Sequence, residues 1–395
     1  MEFVDELADG TKGAALPQIR ADLGLSYAQI GLLISVPLLV GSLIELPLGL
    51  VAGQGTARHR LVLAGGAVVA GSLAAVAAAH SVTVLLIAFV AFFPASGAFV
   101  SLTQAALMDA APQRHQQRMA AWNLAGSAGA VAGPLLLAAV LAAGGDWRMA
   151  YLLLAAAAGA ALAVAFFAAP SREVTAGGQG SGRPGAPGDA AGNEEDDARA
   201  SVRTALRALR SGNVVRWVIL LEISDLLLDV LTGYVGVYLV DVAGASPAQA
   251  AIGVAVRLGG GLAGDALFVA VSRRVTGPAA LRISAVTAVI LYPAFLLAPW
   301  FPAKLVILAV LSLATACWYP VVQAGLYSAL PGRSGIAVFL SSAAGLLGAA
   351  GPLAVGLIAQ QAGLTWALAA LAIAPGAVLA LLPPGARPVL RRVKR

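Results

Sequence analysis

Glu2, Asp5 and Asp9 recur with the same spacing as Glu222, Asp225 and Asp229, 220 positions further along a chain of 395 residues. Steps of three and four residues put each triplet on one narrow helical face. A row of carboxylates on one face has a short list of uses: it takes up and releases protons, holds cations, or ties neighbouring helices together. Glu6 adds an acid to the first row, and Glu45 stands alone further on. The cations able to answer them are Lys12, one turn from Asp9, and Arg257, with Asp265 eight residues beyond it. Arg257 and Asp265 would stand ~12 Å apart along a helix axis. Arg257 is therefore expected to pair with an acid of the second triplet, and Asp265 with another helix. Gln104, Trp122, Asn123, Tyr234, Trp318, Tyr319 and Gln323 are polar or aromatic groups in apolar stretches, able to line a cavity or to bridge helices. Tyr238, near the end of its stretch, reads as an interfacial anchor.

The chain that must position these groups is 59% hydrophobic and only 11% charged, with a mean hydropathy of +0.87. A soluble domain carries about 25% charge, so lipid has to supply the coat that polar side chains do not. A soluble enzyme, a nucleic-acid-binding domain and a disordered chain are excluded. The net charge of +6 then points to a membrane surface. One cysteine, Cys317, and three histidines in loops (His59, His80, His115) leave no disulfide framework or metal-ligand set. No metal or cofactor is expected.

A helix needs about 20 apolar residues to cross a bilayer. Such runs cover 28–50, 61–79, 82–108, 119–142, 150–168, 214–240, 248–271, 281–299, 305–329, 335–360 and 364–382, and the segment 1–19 is a twelfth candidate. Helices are the form expected, because unpaired backbone is too costly in hydrocarbon. With both termini in the cytoplasm, the cytoplasmic connections and the tail hold twenty basic residues, against Arg20, Arg148 and Lys304 on the other side. That bias orients the chain. Residues 177–192 are Gly-, Pro- and Ala-rich and read as disordered. In 198–210, Val202, Leu206 and Leu209 share a face opposite Arg199, Arg203, Arg207 and Arg210, the pattern of an amphipathic helix on the inner leaflet.

The triplets belong to a wider repeat. Ser26-Tyr27-Ala28-Gln29 answers Ser246-Pro247-Ala248-Gln249, Gln104–Pro112 answers Gln323–Pro331, and Gly133-Pro134 answers Gly351-Pro352, all at offsets of 218 to 220. Four matches in order divide the chain into a six-helix bundle at 1–169, a cytoplasmic linker at 170–213, a second bundle at 214–383 and a basic tail at 384–395. Val214–Leu221 precede the first acid of the second copy, whereas only Met1 precedes Glu2. The first helix therefore reads as shortened by about two turns, so either the natural start lies upstream of Met1 or this copy is truncated.

On these features the chain resembles the major facilitator superfamily of secondary transporters. The resemblance implies an all-α membrane protein of twelve transmembrane helices in two pseudo-symmetric bundles. Gly49–Arg58 partly match that family's loop signature between helices 2 and 3, with Gly53 where an acid is usual. Gly129, Gly133 and Pro134 look like its antiporter signature; small residues for close packing, with a proline bend, explain them equally well, as they do Gly351 and Pro352.

A carboxylate at the bilayer centre costs about 2.5–3.5 kcal/mol on insertion scales. Three of them in 214–240 are only just offset by sixteen Val, Ile and Leu residues at about 0.3–0.6 kcal/mol each. Such acids must face a bundle interior or a wet cavity. Asp5, Asp9, Asp225 and Asp229 are the proton-coupling candidates; Glu2, Lys12, Glu45, Gln104, Asn123, Glu222, Tyr234, Arg257, Asp265, Trp318, Tyr319 and Gln323 are the cavity candidates. Fixed pairs holding helices in register are the competing account. The reading is alternating access with proton-coupled export of a small organic solute, cationic or polar, by a monomer in the plasma membrane. Its partners are the solute, protons and lipid, with no nucleic acid. Uptake by the same fold, and a non-transporting sensor or scaffold, are the alternatives. An intramembrane enzyme is disfavoured, because no nucleophile–base or metal set lies in the spans.

Overall fold

The computed structural model describes residues 1–51, 56–109, 115–167, 209–272, 274–330 and 334–382. The helices of the first half are α1 (Glu2–Leu23), α2 (Tyr27–Val51), α3 (Thr56–Ala77), α4 (Val82–Asp109), α5 (His115–Ala142) and α6 (Trp147–Phe167). The second half begins with α7 (Gly212–Asp241), α8 (Pro247–Val271) and α9 (Gly277–Leu297). Its last three spans are each built of two pieces: α10 (Phe301–Thr315) with α11 (Trp318–Ala329), α12 (Ser334–Gly348) with α13 (Gly351–Ala362), and α14 (Leu364–Ala370) with α15 (Ile373–Leu381). The amphipathic segment expected at 198–210, the loop signature at 49–58 and the basic tail lie wholly or largely outside the described residues.

A proline follows each break in those spans, although Pro17, Pro94, Pro134 and Pro293 lie inside unbroken helices. A proline has no N–H for the carbonyl four residues back, and its ring crowds that carbonyl. Pro320, Pro352 and Pro375 stand four residues after Ala316, Gly348 and Leu371, where the first pieces end. Gly133-Pro134, the counterpart of Gly351-Pro352, lies inside the continuous α5. The two copies of that motif therefore differ in backbone although they agree in sequence.

The Ser-x-x-Gln repeat is a pair of capping boxes. Gln29 N–H donates to Ser26 Oγ at 3.2 Å while Ser26 N–H donates to Gln29 Oε1 at 2.8 Å. Ser246 and Gln249 do the same at 3.2 and 2.9 Å. Both satisfy N-terminal donors that would otherwise lack partners. Two residues before each box a glycine turns the chain in the left-handed region, Gly24 at φ 62° and Gly244 at φ 67°.

Ten spans are long and apolar enough to cross a membrane by length and composition; α1 and α7, which carry the acid triplets, complete the twelve. Large apolar side chains such as Val164, Phe167, Leu347 and Ile373 point outward and are largely exposed, the surface of a lipid-facing bundle. Inside, glycines let backbones touch. Gly129 and Gly133 of α5 face the carbonyls of Phe3 and Leu7 on α1, and Gly10 of α1 faces that of Ala130. The halves meet where α2 packs on α13, α5 on α8, and α1 on α7 and α8.

Candidate functional site

α1 and α7 run side by side at the seam between the halves, with Gly13 against the Thr232 carbonyl. Their acids do not all share one environment. Glu2 and Glu222 rest against the fifth span of their own half. A Cβ on Gly126 would lie 2.7 Å from Glu2 Oε1, and one on Gly348 would lie 2.8 Å from Glu222 Oε2. Trp122 hydrogen-bonds Glu2, and the Gly348 N–H donates to Glu222. Glu222 Oε1 is buried without a partner.

Asp5 turns toward α4, where Ser96 Oγ donates to its Oδ1. With Glu6 and Asp9 it lines a cavity of about 290 Å³, closed on the α4 side by Phe92, Phe93, Ser96, Gly97 and Val100. That volume is just below the usual range of about 300–1,000 Å³ for small-molecule sites. Asp9 stays about half exposed and pairs with Lys12 at 2.9 Å, as the one-turn spacing leads one to expect.

On the other side of the seam, Asp229 lies within electrostatic reach of Arg257 of α8 and of Asp9 and Lys12 of α1. Charges of both halves are therefore felt at Asp229. Tyr319 of α11, about half exposed, is in similar reach of Asp225 and Asp229. Arg257 is buried, but the expected ion pair is not formed. Its Nη2 reaches the Leu228 carbonyl at 3.4 Å and its Nε has no partner. A carbonyl of α7, that of Leu228, stands where an acid was expected, with Asp229 the next residue along. Asp265 is exposed further along α8.

Other candidates are placed differently from the cavity-lining expectation. Tyr234 is fully buried and donates to the Pro352 carbonyl at 2.8 Å, wedged between Gly31 and Gly356 where α2 crosses α13. Trp318 is fully buried and donates to Ser284 Oγ at 2.6 Å. Tyr238 is no interfacial anchor: it is fully buried, donates to the Leu296 carbonyl and accepts from Lys304. Gln323 accepts from Ser341 Oγ at 3.2 Å, a bridge between α11 and α12. Gln104 Nε2 lies 3.5 Å from Met119 Sδ, and Asn123 is exposed on α5. Glu45 falls on α2 at a position whose side chain is outside the described ones.

A further polar cluster joins the halves where α1 passes to α2 and α7 to α8. Arg20 pairs with Asp241 at 2.8 Å and lies over the Tyr27 ring, 4.3 Å from its centroid. Tyr27 donates its hydroxyl to Asp241 at 2.9 Å and its N–H to Gln360 Oε1 at 3.1 Å. Deeper in, Leu353 N–H donates to Ser35 Oγ at 3.0 Å. The polar contacts described between the halves gather toward this end, so the seam is closed there. The sequence carries a trace of it: Arg20 and Asp241 are opposite charges at equivalent ends of α1 and α7.

Two pseudo-symmetric bundles in lipid, with ionisable side chains at their seam, define a membrane transporter and not an enzyme. The chain belongs to the Major Facilitator Superfamily, whose family model matches residues 2–338. Its fold is similar to a solved bacterial homologue of the human lysosomal transporter Spinster in an inward-facing, unoccupied conformation (TM-score 0.73, 16% identity, 96% of this chain and 93% of that one). It is also similar to the nucleoside transporter NupG (0.70, 15%, 96% and 95%) and to a mutant of the peptide transporter POT (0.71, 16%, 96% and 92%). No curated protein matches the chain in sequence.

Proposed function

We propose that this transporter exports a small cationic or polar organic solute in exchange for protons, with Asp5, Asp9, Asp225 and Asp229 as the proton-carrying groups. The observation that supports the reading is the placing of α1 beside α7 at the seam, with the Asp9–Lys12 pair within electrostatic reach of Asp229. Ionisable groups in a membrane span are costly to insert, and a pathway for ions or solute is the usual return. A carboxylate at a moving seam changes its surroundings as the halves rock, so its proton affinity differs between the two states. That difference is what couples a proton gradient to opening. The acid-lined cavity beside α1 favours a cation, and a cation and a proton compete for the same oxygens, which is the requirement for exchange.

The positive-inside pattern of the loops puts both termini in the cytoplasm, with 170–213 as a cytoplasmic linker between bundles at 1–169 and 214–383. In this reading the closed end of the seam faces outward. A bacterial-type plasma membrane and a monomeric unit complete the reading.

The test is solute flux in proteoliposomes under an imposed pH gradient, comparing the wild type with Asp225→Asn and Asp229→Asn. The neutral variants are expected to lose gradient-driven flux by at least about tenfold, the factor that corresponds to ~1.4 kcal/mol of coupling. Variants that transport like the wild type, with unchanged response to the gradient, would refute the carrier role.

A further inference from the structure

The chain holds three lysines, Lys12, Lys304 and Lys394, and the two in spans are held in different ways. Lys304 is buried and donates to Tyr238 Oη, to the Phe295 carbonyl and to the Leu296 carbonyl, at 2.9, 2.9 and 3.0 Å. An ammonium has three N–H donors, so Lys304 is fully satisfied and caps the end of α9. Lys12 sits otherwise. Its ammonium rests on one carboxylate oxygen of Asp9 and over the Phe93 ring, 4.3 Å from the centroid. Gly41 of α2 gives that ring its place, since a Cβ there would lie 3.1 Å from Phe93 Cβ. A carboxylate and an aromatic face are the two groups that recognise an organic ammonium. Both border the cavity lined by Asp5, Glu6, Phe92 and Ser96.

We infer that Lys12 is a tethered occupant of the subsite that receives the solute's cationic group, and that an incoming organic cation displaces its ammonium from Asp9 and Phe93. Physical features of the site favour displacement over a fixed bridge. Asp9 is 55% exposed, so its carboxylate is accessible to a newcomer. The pair is open on its Asp9 side only, the Lys12 side chain being 14% exposed, and a single ion pair open to water on one side contributes modest stability. The lysine side chain is long and unbranched, and can swing away without disturbing α1. The ammonium also screens Asp5, Glu6 and Asp9 while the site is empty, and the solute takes over that role on arrival. The inference rests on the reading of Asp9 as facing the transport path. It adds the substrate feature selected there, an ammonium able to lie on an aromatic ring, and a residue that sets its affinity.

The experiment uses the purified full-length protein and benzyltrimethylammonium, a quaternary probe with no amine of its own. Lysines are labelled with an amine-reactive ester and their rates are read by peptide mapping. Saturating probe is expected to raise the Lys12 rate several-fold, while Lys304 stays slow and Lys394 is unchanged. By calorimetry, Lys12→Met is expected to bind the probe roughly fivefold more tightly, as follows from removing a competing ion pair and ring contact. Lys12→Arg should bind no tighter than wild type, and Phe93→Leu should bind several-fold more weakly. Probe binding that leaves Lys12 labelling unchanged or slower overturns the inference, and so does failure of the probe to bind wild type and Lys12→Met alike. These readouts need no gradient. Loss of proton-driven flux with displacement intact would sink the exchange reading alone, and the converse would sink only the subsite.

Discussion

Gly133 on α5 faces the Leu7 carbonyl and the Thr11 N–H of α1, and a Cβ there would overlap both. The same holds for Gly129 against Phe3 and for Gly10 against Ala130, so the α1–α5 crossing is held at backbone contact by three missing methyl groups. This arrangement fixes the height of Asp5 and Asp9, because both lie on the helix that the glycines clasp. Gly133→Ala is expected to push α1 outward at a cost of about 1–3 kcal/mol, the range for overpacking a filled interface. Its thermal midpoint in detergent should fall by several degrees. Gly159→Ala on α6, where a Cβ meets nothing within 4 Å, should leave the midpoint unchanged or slightly higher. Equal midpoints for the two variants would show that α1 and α5 tolerate separation. At this scale the sequence was informative for small residues, whose spacing alone marks a close crossing. It was uninformative for Tyr234 and Trp318, because whether an aromatic in an apolar run faces a cavity or a neighbouring helix depends on partners about 118 and 34 positions away.

Elements were legible wherever the signal was local. A serine three residues before a glutamine marks a helix start whatever the rest of the fold does, and both boxes form. The divided spans could not be read from Pro320, Pro352 and Pro375 alone, because Pro17, Pro94, Pro134 and Pro293 sit in helices that stay whole. The closure between α1, α2, α7 and α13 was not legible, because its partners are 214 and 333 residues apart. Arg20 and Asp241 are each partly buried there, which gives their pair more weight than a fully exposed one. Asp241→Asn removes the ion pair and weakens the bond from Tyr27. We expect it to shift the balance of states by about 1 kcal/mol, or roughly fivefold, toward opening at this end. Ser35, buried behind the closure, reports on it. In a Cys317→Ser background, Ser35→Cys should react with an impermeant maleimide several-fold faster when Asp241→Asn is added. An unchanged rate would mean that the apolar contacts of α2 and α13 close the seam without help from the charges.

For the molecule as a whole, the two halves repeat not only a sequence but a set of physical solutions: a left-handed glycine, a capping box, an acid resting on a glycine of the fifth span. They differ where work between the halves is done. Lys12 has no counterpart beside Asp229, Arg257 has none in the first half, and α5 runs unbroken where its partner divides at Gly348. A symmetric frame with asymmetric charges is what rocking requires, since each state must bury a different set of groups. If rocking is the mechanism, fixing the closed end must stop it. Leu353 N–H lies 3.0 Å from Ser35 Oγ, and a Cβ on neighbouring Gly31 would lie 2.7 Å from Leu353 Cα. Backbones this close can accept a disulfide. Ser35→Cys with Leu353→Cys, in the Cys317→Ser background, is therefore expected to cross-link on oxidation. The oxidised protein should lose solute flux by more than about tenfold, because the alternate state is removed from the equilibrium. It should still bind a cation at Asp9 and Phe93 from the opposite end, and a reductant should restore flux. Oxidised protein that transports at the reduced rate would show that the halves need not part at α2 and α13, and the closure at Arg20, Tyr27 and Asp241 would then be a brace and not a gate.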